Sequence, residues 1–140
     1  MISLRSCTKD DWDTILDLRN TFYEESFYQQ NKPITKQEHY EYMEKQEKNP
    51  NFHQWMAVNN DEMVGYIRIL DSDISILVLR QHHNKGMGTI MLQLVEREAK
   101  KLGIRKLRGL VRTNNVGSQH IFQKNDYELK MYWFEKDLNP

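Results

Sequence analysis

Residues 81–89 carry the side chains and the spacing that could bind an anion most directly. They read Gln-His-His-Asn-Lys-Gly-Met-Gly-Thr, between an apolar run at residues 74–79 and an amphipathic run at residues 90–102. This order is typical of a loop that leads from a buried strand into a helix. The first turn of a helix leaves several backbone N–H groups without partners at the positive end of the helix dipole. Because Lys85 adds a cation beside the two glycines, the stretch predicts a phosphate or pyrophosphate site.

The histidine pair and the single cysteine are weaker indications of a reactive site than this loop. His82 and His83 are neighbours, but no third ligand stands at the spacing that a metal site needs, so we predict no metal centre. Cys7 is the single cysteine of the chain. A thiol at the end of a strand is more often buried and inert than an acyl carrier, so we expect a structural cysteine.

Composition limits the classes of function. The chain has 140 residues, enough for one domain that spans residues 1–140. Its 20 Lys and Arg residues equal its 20 Asp and Glu residues, so no long-range field would collect nucleic acid or an anionic membrane. No apolar run approaches the roughly 20 residues of a membrane span, and no signal peptide is recognisable. Together with the lone cysteine, these features predict a cytoplasmic protein.

Hydrophobic periodicity predicts the elements that must position the loop. The predicted order is a strand at residues 2–6, a helix that begins after residue 8 and ends near residues 20–24, an irregular loop at 22–32, a helix from the capping box at 35–38 to about 49, a hairpin of strands at 54–58 and 63–70, a central strand at 74–79, a helix at 90–102, a strand at 104–111, a helix at 114–124 and a last strand at 127–136. This order predicts a mixed α/β sandwich.

Two motifs resemble the acetyl-CoA-binding core of the GNAT acetyltransferase superfamily. Residues 83–88 match the family pattern of Gln or Arg, two residues, Gly, one residue, and Gly or Ala, except that His83 replaces the Gln or Arg. Residues 114–127 resemble the family segment in which an Asn is followed three residues later by a Ser, with Phe122 where a Tyr is frequent. The resemblance implies a mostly antiparallel central sheet that splays at its middle strands, flanked by about four helices.

The resemblance also implies the donor and its binding site. Acetyl-CoA would lie where the strand at 74–79 splays from the strand at 104–111, with its pantetheine amides and thioester carbonyl near backbone groups of Leu77 and Leu79. The loop backbone would hold the pyrophosphate, and Asn115 and Ser118 would orient the cofactor. The cofactor-binding residues implied in this way are Leu77, Leu79, His83, Asn84, Lys85, Gly86, Met87, Gly88, Thr89, Asn115, Ser118 and Phe122.

In this family an amine attacks the thioester directly, so the protein must accept a proton, stabilise an oxyanion and protonate the leaving thiolate. The usual donor to the thiolate is a Tyr at the position of Phe122. Three alternatives follow from the phenylalanine. Water donates the proton, CoA leaves as the thiolate, or Tyr127, Tyr132 or another nearby phenol takes over.

The rest of the chain resembles a narrower branch, the N-acetyltransferases of nucleotide-linked 4-amino sugars. The residues that carry this resemblance are Leu18, Arg19, Asn20, Ser26, Ile34, His39, Trp133 and Phe134. It implies that His39 lies by the acceptor amine as a general base or a positioning residue, with a packed structural histidine as the alternative. The substrate-binding residues that we predict are Asn20, Tyr23, Phe27, Tyr132 and Trp133.

Three functions stay open at this point. The first is acetyl transfer to a nucleotide-linked amino sugar, and the second is the same reaction on a protein N-terminus, a polyamine or an aminoglycoside. The third is an inactive acyl-CoA-binding regulator, which His83, Leu110 and Phe122 would suit. We expect a small-molecule amine as partner, with neither nucleic acid nor membrane, and a homodimer is one alternative for the assembly.

Overall fold

The computed structural model describes residues 1–27 and 29–139. Within them the chain forms a mixed α/β fold of five strands and four α-helices, which confirms the predicted fold class. The elements are β1 (Ile2–Ser6), α1 (Trp12–Ser26), α2 (Lys36–Glu47), β2 (Phe52–Asn59), β3 (Glu62–Leu70), β4 (Asp73–Val78), α3 (Met87–Lys101), β5 (Arg108–Gly109) and α4 (Val116–Lys124). Short 3-10 turns, Lys9–Asp11 and Arg80–His82, precede α1 and α3.

The sheet follows chain order, β1-β2-β3-β4-β5. Its first four strands are antiparallel, and β5 pairs with β4 in parallel. The predicted hairpin between β2 and β3 is confirmed, with Asn60 and Asp61 in the left-handed region at φ 50° and 68°. Asn and Asp tolerate this conformation better than other non-glycine residues, which is why the chain reverses there.

Helices cover both faces of the sheet. On one face α3 buries Met91, Leu92, Val95 and Ala99, whose spacing of three and four residues forms one apolar stripe. On the other face α1 and α2 bury a second cluster that includes Trp12. The predicted capping box starts α2, because the N–H of Glu38 donates to Thr35 Oγ1 at 3.1 Å and Thr35 N–H donates back to the Glu38 carboxylate at 3.3 Å.

Helix α1 is longer than predicted. It runs to Ser26, so the first residues of the expected loop are helical. The reason is tertiary, because Phe22 is 7% exposed and packs in the cluster under α1 and α2. That burial stabilises a last turn for which the sequence shows no clear period. Tyr28, within the same predicted loop, lies outside the described residues.

Two predicted strands on the far side of the sheet are wrong or too long. The strand expected at residues 104–111 contracts to Arg108–Gly109, which leaves β4 next to an edge instead of at the centre. The strand expected at residues 127–136 joins no strand of the described chain, although its residues alternate as a strand would. Alternation identifies a segment that can form a strand, but a strand also needs a neighbour with which to pair.

Candidate active site

The sheet opens between β4 and β5. Only two residue pairs join these strands, Asp73 with Arg108 and Ile74 with Gly109. Beyond these pairs, residues 110–113 form no backbone ladder with β4, so a gap opens toward the carboxyl end of β4. The predicted splay therefore lies at this point, and β4 leads from it directly into the loop at residues 81–89.

The register of β4 decides which peptide groups border this gap. Leu79 N–H donates to Val64 O at 2.9 Å, and the carbonyl of Leu77 faces Gly65, so both residues turn their backbone toward β3. Because successive peptide groups of a strand point in opposite directions, those of Ile76 and Val78 face the gap. Leu77 and Leu79 therefore turn their peptide groups away from the gap, and their contact with the cofactor stays a prediction. Strand periodicity alone does not distinguish the two edges of a strand.

The loop turns sharply at residues 80–86. Its backbone passes through the left-handed region twice, at Asn84 with φ 62° and at Gly86 with φ 73°, immediately before α3 begins. The exposed side chain of His83 stabilises the turn, since its Nε2–H donates to Val78 O at 2.7 Å. His83 therefore takes a structural role in the loop, which its replacement of the usual Gln or Arg did not indicate.

The loop offers unpaired donors to an anion. Among the described residues we find no hydrogen-bond acceptor for the backbone N–H groups of residues 84–89, and the first turn of α3 orients several of them along its axis. A Cβ at Gly86 would meet no atom within 4 Å, and Lys85 is exposed beside it. Free N–H groups, open space and a cation are what a pyrophosphate needs, so the residues fit that group.

The two glycines of the loop have different roles. Gly88 is buried, and a Cβ there would lie 2.3 Å from Cδ1 of Ile121 on α4. Gly88 therefore allows α3 and α4 to approach each other, whereas Gly86 faces open space. Beside it, Thr89 Oγ1 accepts a bond from Asn125 Nδ2 at 3.4 Å, and Met87 is half-buried.

The second motif holds α4 in place. Asn115 caps this helix, because its Oδ1 accepts from Ser118 N–H at 3.1 Å, and its Nδ2 donates to Glu25 O at 2.9 Å. The ring of Phe122 packs on Gly109, where a Cβ would lie 2.6 Å from Cζ. In the structure these residues join α4 to α1 and to β5. Direct contact of Asn115, Ser118 or Phe122 with the cofactor stays a prediction.

The two phenols considered as proton donors differ in their surroundings. Tyr127 OH donates to the Glu96 carboxylate at 2.9 Å, and burial together with that carboxylate raises the pKa of Tyr127. Tyr132 is 77% exposed on the chain that follows α4. Tyr127 is therefore engaged with α3, and its raised pKa makes it a weaker acid than an ordinary tyrosine. Burial likewise raises the pKa of the Cys7 thiol to about 12, as expected for an inert cysteine.

His39 is completely buried between α1 and α2. Its Nε2 lies 2.8 Å from Trp12 O, and its Nδ1 lies 3.0 Å from Nη1 of Arg19. A guanidinium can only donate, so Nδ1 accepts this bond and Nε2–H donates to the carbonyl. Burial lowers the pKa of His39, and the ring is neutral. Because both nitrogens already have partners, the geometry favours the positioning alternative over the general base.

A second arginine lies on the same face of the sheet, and sequence reasoning missed it. Arg68 is 7% exposed within β3. Its Nη2 donates to Ser75 Oγ on β4 at 3.1 Å, whereas Nε is buried and has no partner among the described residues. No carboxylate of the described chain lies within 4.0 Å of the guanidinium of Arg19 or Arg68. The sequence signal that could have identified Arg68 is a charged residue within an otherwise apolar strand, at a position whose side chain points into the core.

The predicted acceptor residues divide into two groups. Asn20 holds the chain between α1 and α2, because it accepts from Ile34 N–H at 2.8 Å and donates to Ile34 O at 2.9 Å. Phe27 and Tyr23 pack in the cluster under α1 and α2. Tyr132 and Trp133 are 77% and 65% exposed after α4. A role of these five residues in acceptor binding stays a prediction.

Comparison with known proteins identifies this arrangement. The sequence profile of the acetyltransferase (GNAT) family matches residues 12–127. The chain belongs to this family. As a GNAT acetyltransferase it uses acetyl-CoA as acyl donor, which confirms the enzyme class and the cofactor expected from the two motifs. The narrower amino-sugar branch is not supported by the comparisons.

Solved structures share the acetyltransferase fold. A domain from Methanocaldococcus jannaschii has a TM-score of 0.76 at 23% identity and covers 89% of this chain and 86% of its own. A predicted acetyltransferase with acetyl-CoA from Clostridium acetobutylicum has a TM-score of 0.73 at 17% sequence identity, and the match covers 99% of this chain and 97% of that one. Spermidine N-acetyltransferase from Vibrio cholerae, in complex with CoA and spermine, has a TM-score of 0.72 at 14% sequence identity. The match covers 89% of this chain and 79% of that one.

No helix in residues 1–27 and 29–139 is long and apolar enough to cross a bilayer. Within the same residues no group of three or more His, Cys, Asp or Glu side chains could hold a metal ion.

Proposed function

We propose that this acetyltransferase acetylates a small-molecule primary amine that also carries an anionic group. The unpaired N–H groups of residues 84–89 at the mouth of the β4–β5 gap support the donor half of this proposal. The acceptor half rests on the buried guanidinium of Arg68. Acetyl-CoA supplies the acetyl group as a thioester, and the amine attacks it directly.

The chain's own groups bind the donor in two places. The loop N–H groups and the exposed Lys85 hold the pyrophosphate. The edge of β4 presents the peptide groups of Ile76 and Val78 to the pantetheine chain, because the register turns them toward the gap. One acceptor there, the Val78 carbonyl, is already bonded to His83. The Ile76 peptide groups therefore carry most of the pantetheine recognition.

Arg68 gives the chemical class of the acceptor. A buried guanidinium without a carboxylate is costly, because its charge has lost water and gained only neutral partners. Ser75, the residue that it touches, is on β4 and therefore on the strand that borders the gap. A carboxylate or phosphate on the acceptor would supply the missing counter-charge and a bidentate bond, while the amine of the same molecule lies at the gap.

Arg19 strengthens the positive charge of this face. Burial lowers its pKa, and Arg68 is close enough to lower it further. Its Cζ lies 4.8 Å from the centroid of the Tyr42 ring, and Nη1 donates to His39. His39 is thus a positioning residue in this proposal, since it fixes the guanidinium of Arg19 and does not itself accept the amine's proton.

Acceptor classes can be ranked by charge on this basis. A nucleotide-linked amino sugar combines an amine with phosphates, so it fits an arginine pair without carboxylates. An amino acid fits for the same reason. A polyamine, the compound class of the spermine bound in the Vibrio cholerae structure, would bring further cations toward Arg19 and Arg68 and is disfavoured here.

CoA release measured over a panel of amines tests the proposal. The panel includes a nucleotide-linked amino sugar, an amino acid, a peptide, an aminoglycoside and spermidine. Arg68→Met removes the charge and keeps much of the volume, and exposed Arg97→Met on α3 is the matched control. For an anionic acceptor Arg68→Met should raise KM at least about tenfold, because a hydrogen bond to a charged group contributes about 1.5–3 kcal/mol. The KM of acetyl-CoA should not change.

The panel also separates the alternatives. Fastest turnover with spermidine or the aminoglycoside, unaffected by Arg68→Met, would refute the anionic acceptor and leave acetyl transfer intact. Acetyl-CoA binding without CoA release on any amine would favour the inactive regulator. A melting curve for each variant shows whether a loss of rate reflects unfolding.

A further inference from the structure

The last turn of α1 is bonded to both sides of the β4–β5 gap. The carboxylate of Glu25, in that turn, accepts a hydrogen bond from Arg80 Nη2 at 3.2 Å. The backbone carbonyl of Glu25 accepts a second bond from Asn115 Nδ2 at 2.9 Å. Arg80 follows β4, and Asn115 caps α4 after β5. The end of α1 is therefore joined to the chain that leaves β4 and to the chain that leaves β5.

Arg112 holds the chain that comes after α1. We call residues 27 and 29–34 the connecting segment, because they lead from α1 to α2. Nη2 of Arg112 donates to Gln30 O at 3.2 Å and to Phe27 O at 3.4 Å. Arg112 itself lies past the end of β5, in the stretch that forms no ladder with β4. The connecting segment is therefore attached to the β5 side of the gap.

Ion pairing does not explain the presence of this arginine. In residues 1–27 and 29–139 no carboxylate lies within 4.0 Å of the Arg112 guanidinium. Both of its acceptors are neutral carbonyls, and its Nε–H is buried without a partner in the same part of the chain. The cost of that unpaired donor offsets much of what the two bonds contribute to stability. The main effect of Arg112 is therefore on where the connecting segment lies.

The connecting segment in turn holds the start of α2. Gln30 is 6% exposed, and its Nε2 donates to Asn20 Oδ1 at 3.2 Å. The same oxygen accepts the N–H of Ile34 at 2.8 Å, immediately before the residue that caps α2. α2 carries His39, which bonds to the guanidinium of Arg19. A series of hydrogen bonds thus connects the β5 side of the gap to the helix that bears His39.

We propose that Arg112 is a positioning residue for acetyl transfer, which sets the distance between the donor in the gap and the acceptor beside α1 and α2. This role rests on the proposed function, which places the acceptor on that face of the sheet. Direct attack needs reacting atoms about 3–3.5 Å apart, and a displacement of about 1 Å can lower the rate about 100-fold. The described bonds of the guanidinium go to the connecting segment and none goes to residues 81–89, so donor affinity does not depend on Arg112.

Kinetics and donor binding of three variants test this role. Arg112→Met removes both bonds and keeps much of the side-chain volume, and exposed Arg97→Met on α3 is the matched control. With the amine of the panel that is turned over fastest, kcat should fall at least about tenfold in Arg112→Met and stay unchanged in Arg97→Met. The Kd of CoA, from calorimetric titration, should stay at the original value in both. Arg112→Lys restores a charged donor, so it should recover part of the lost kcat.

Hydrogen exchange locates the effect without an amine. In the CoA complex, peptides from the connecting segment should exchange faster in Arg112→Met than in the original chain, because the segment has lost its attachment to the β5 side of the gap. Peptides from α3 should exchange at the same rate in both proteins. Arg97→Met should match the original chain in both regions.

An unchanged kcat, or unchanged exchange in the connecting segment, would overturn the positioning role of Arg112. A Kd of CoA that rises in proportion to the loss of kcat would overturn it as well, since Arg112 would then bind the donor. Equally faster exchange in α3 would show a general loss of stability instead. If no amine of the panel releases CoA, the exchange measurement decides alone. The anionic acceptor is judged from the KM of Arg68→Met, so either proposal can fail without the other.

Discussion

Replacing Gly86 by leucine separates anion binding from folding. Gly86 has φ +73° and a Cβ there would meet nothing within 4 Å, so the new side chain fits sterically and the loss of stability comes from the left-handed backbone, about 1–2 kcal/mol. The same side chain would lie in front of the unpaired N–H groups of residues 84–89. We therefore expect the Kd of acetyl-CoA to rise at least tenfold, which is about 1.4 kcal/mol at 25 °C.

Gly103→Leu is the matched control for this substitution. Gly103 has φ +80° and equally open surroundings, but it lies past the opposite end of α3. Urea unfolding should show similar losses of stability for both variants, whereas calorimetric titration with CoA should show weaker binding for Gly86→Leu alone. Equal Kd values in the two variants would refute the assignment of the loop to the pyrophosphate.

Two further substitutions test packing and charge. Gly65→Ala should lower the free energy of unfolding by about 2 kcal/mol, because a Cβ there would lie 2.4 Å from Leu77 O. The control, Gly117→Ala at an exposed position, should be neutral or stabilise the fold by up to about 1 kcal/mol. Similar urea midpoints for the two variants would contradict this prediction. Burial lowers the pKa of His39 below its unfolded value of about 6.5, so the unfolded chain gains the proton first and stability should fall as pH drops below about 6.5. His39→Gln should flatten that decline and exposed His120→Gln should not; an unchanged slope in His39→Gln would exclude His39 as its cause.

Local patterns predicted most of the order of the elements and the donor loop. The capping box at Thr35 and the turn at residues 60–61 need only neighbouring residues to form, and both are present as expected. The loop from β4 into α3 depends on Gly86 and the helix end that follows it, which are also contiguous. Each of these features is encoded within a few residues, so sequence spacing identifies it.

The acceptor side depended on contacts between distant residues. Arg68 and Ser75 meet because β3 and β4 pair in one register, and a shift of β4 by one residue would turn Ser75 to the face opposite Arg68. His39 reaches Arg19 only when α1 and α2 pack together. Nothing in the spacing of these residues shows that both ring nitrogens of His39 have partners.

The loop at residues 81–89, the proposed pyrophosphate site, separates what local sequence determines from what depends on the packed chain. By itself the sequence determined that residues 81–89 connect a strand to a helix through a glycine turn, because backbone conformation there follows from local residue types. Only the tertiary structure decided that Gly86 faces open space while Gly88 packs on Ile121, and that Arg68 of β3 meets Ser75 of β4. Those outcomes depend on which surfaces the folded chain brings together, and residues far apart in sequence supply them.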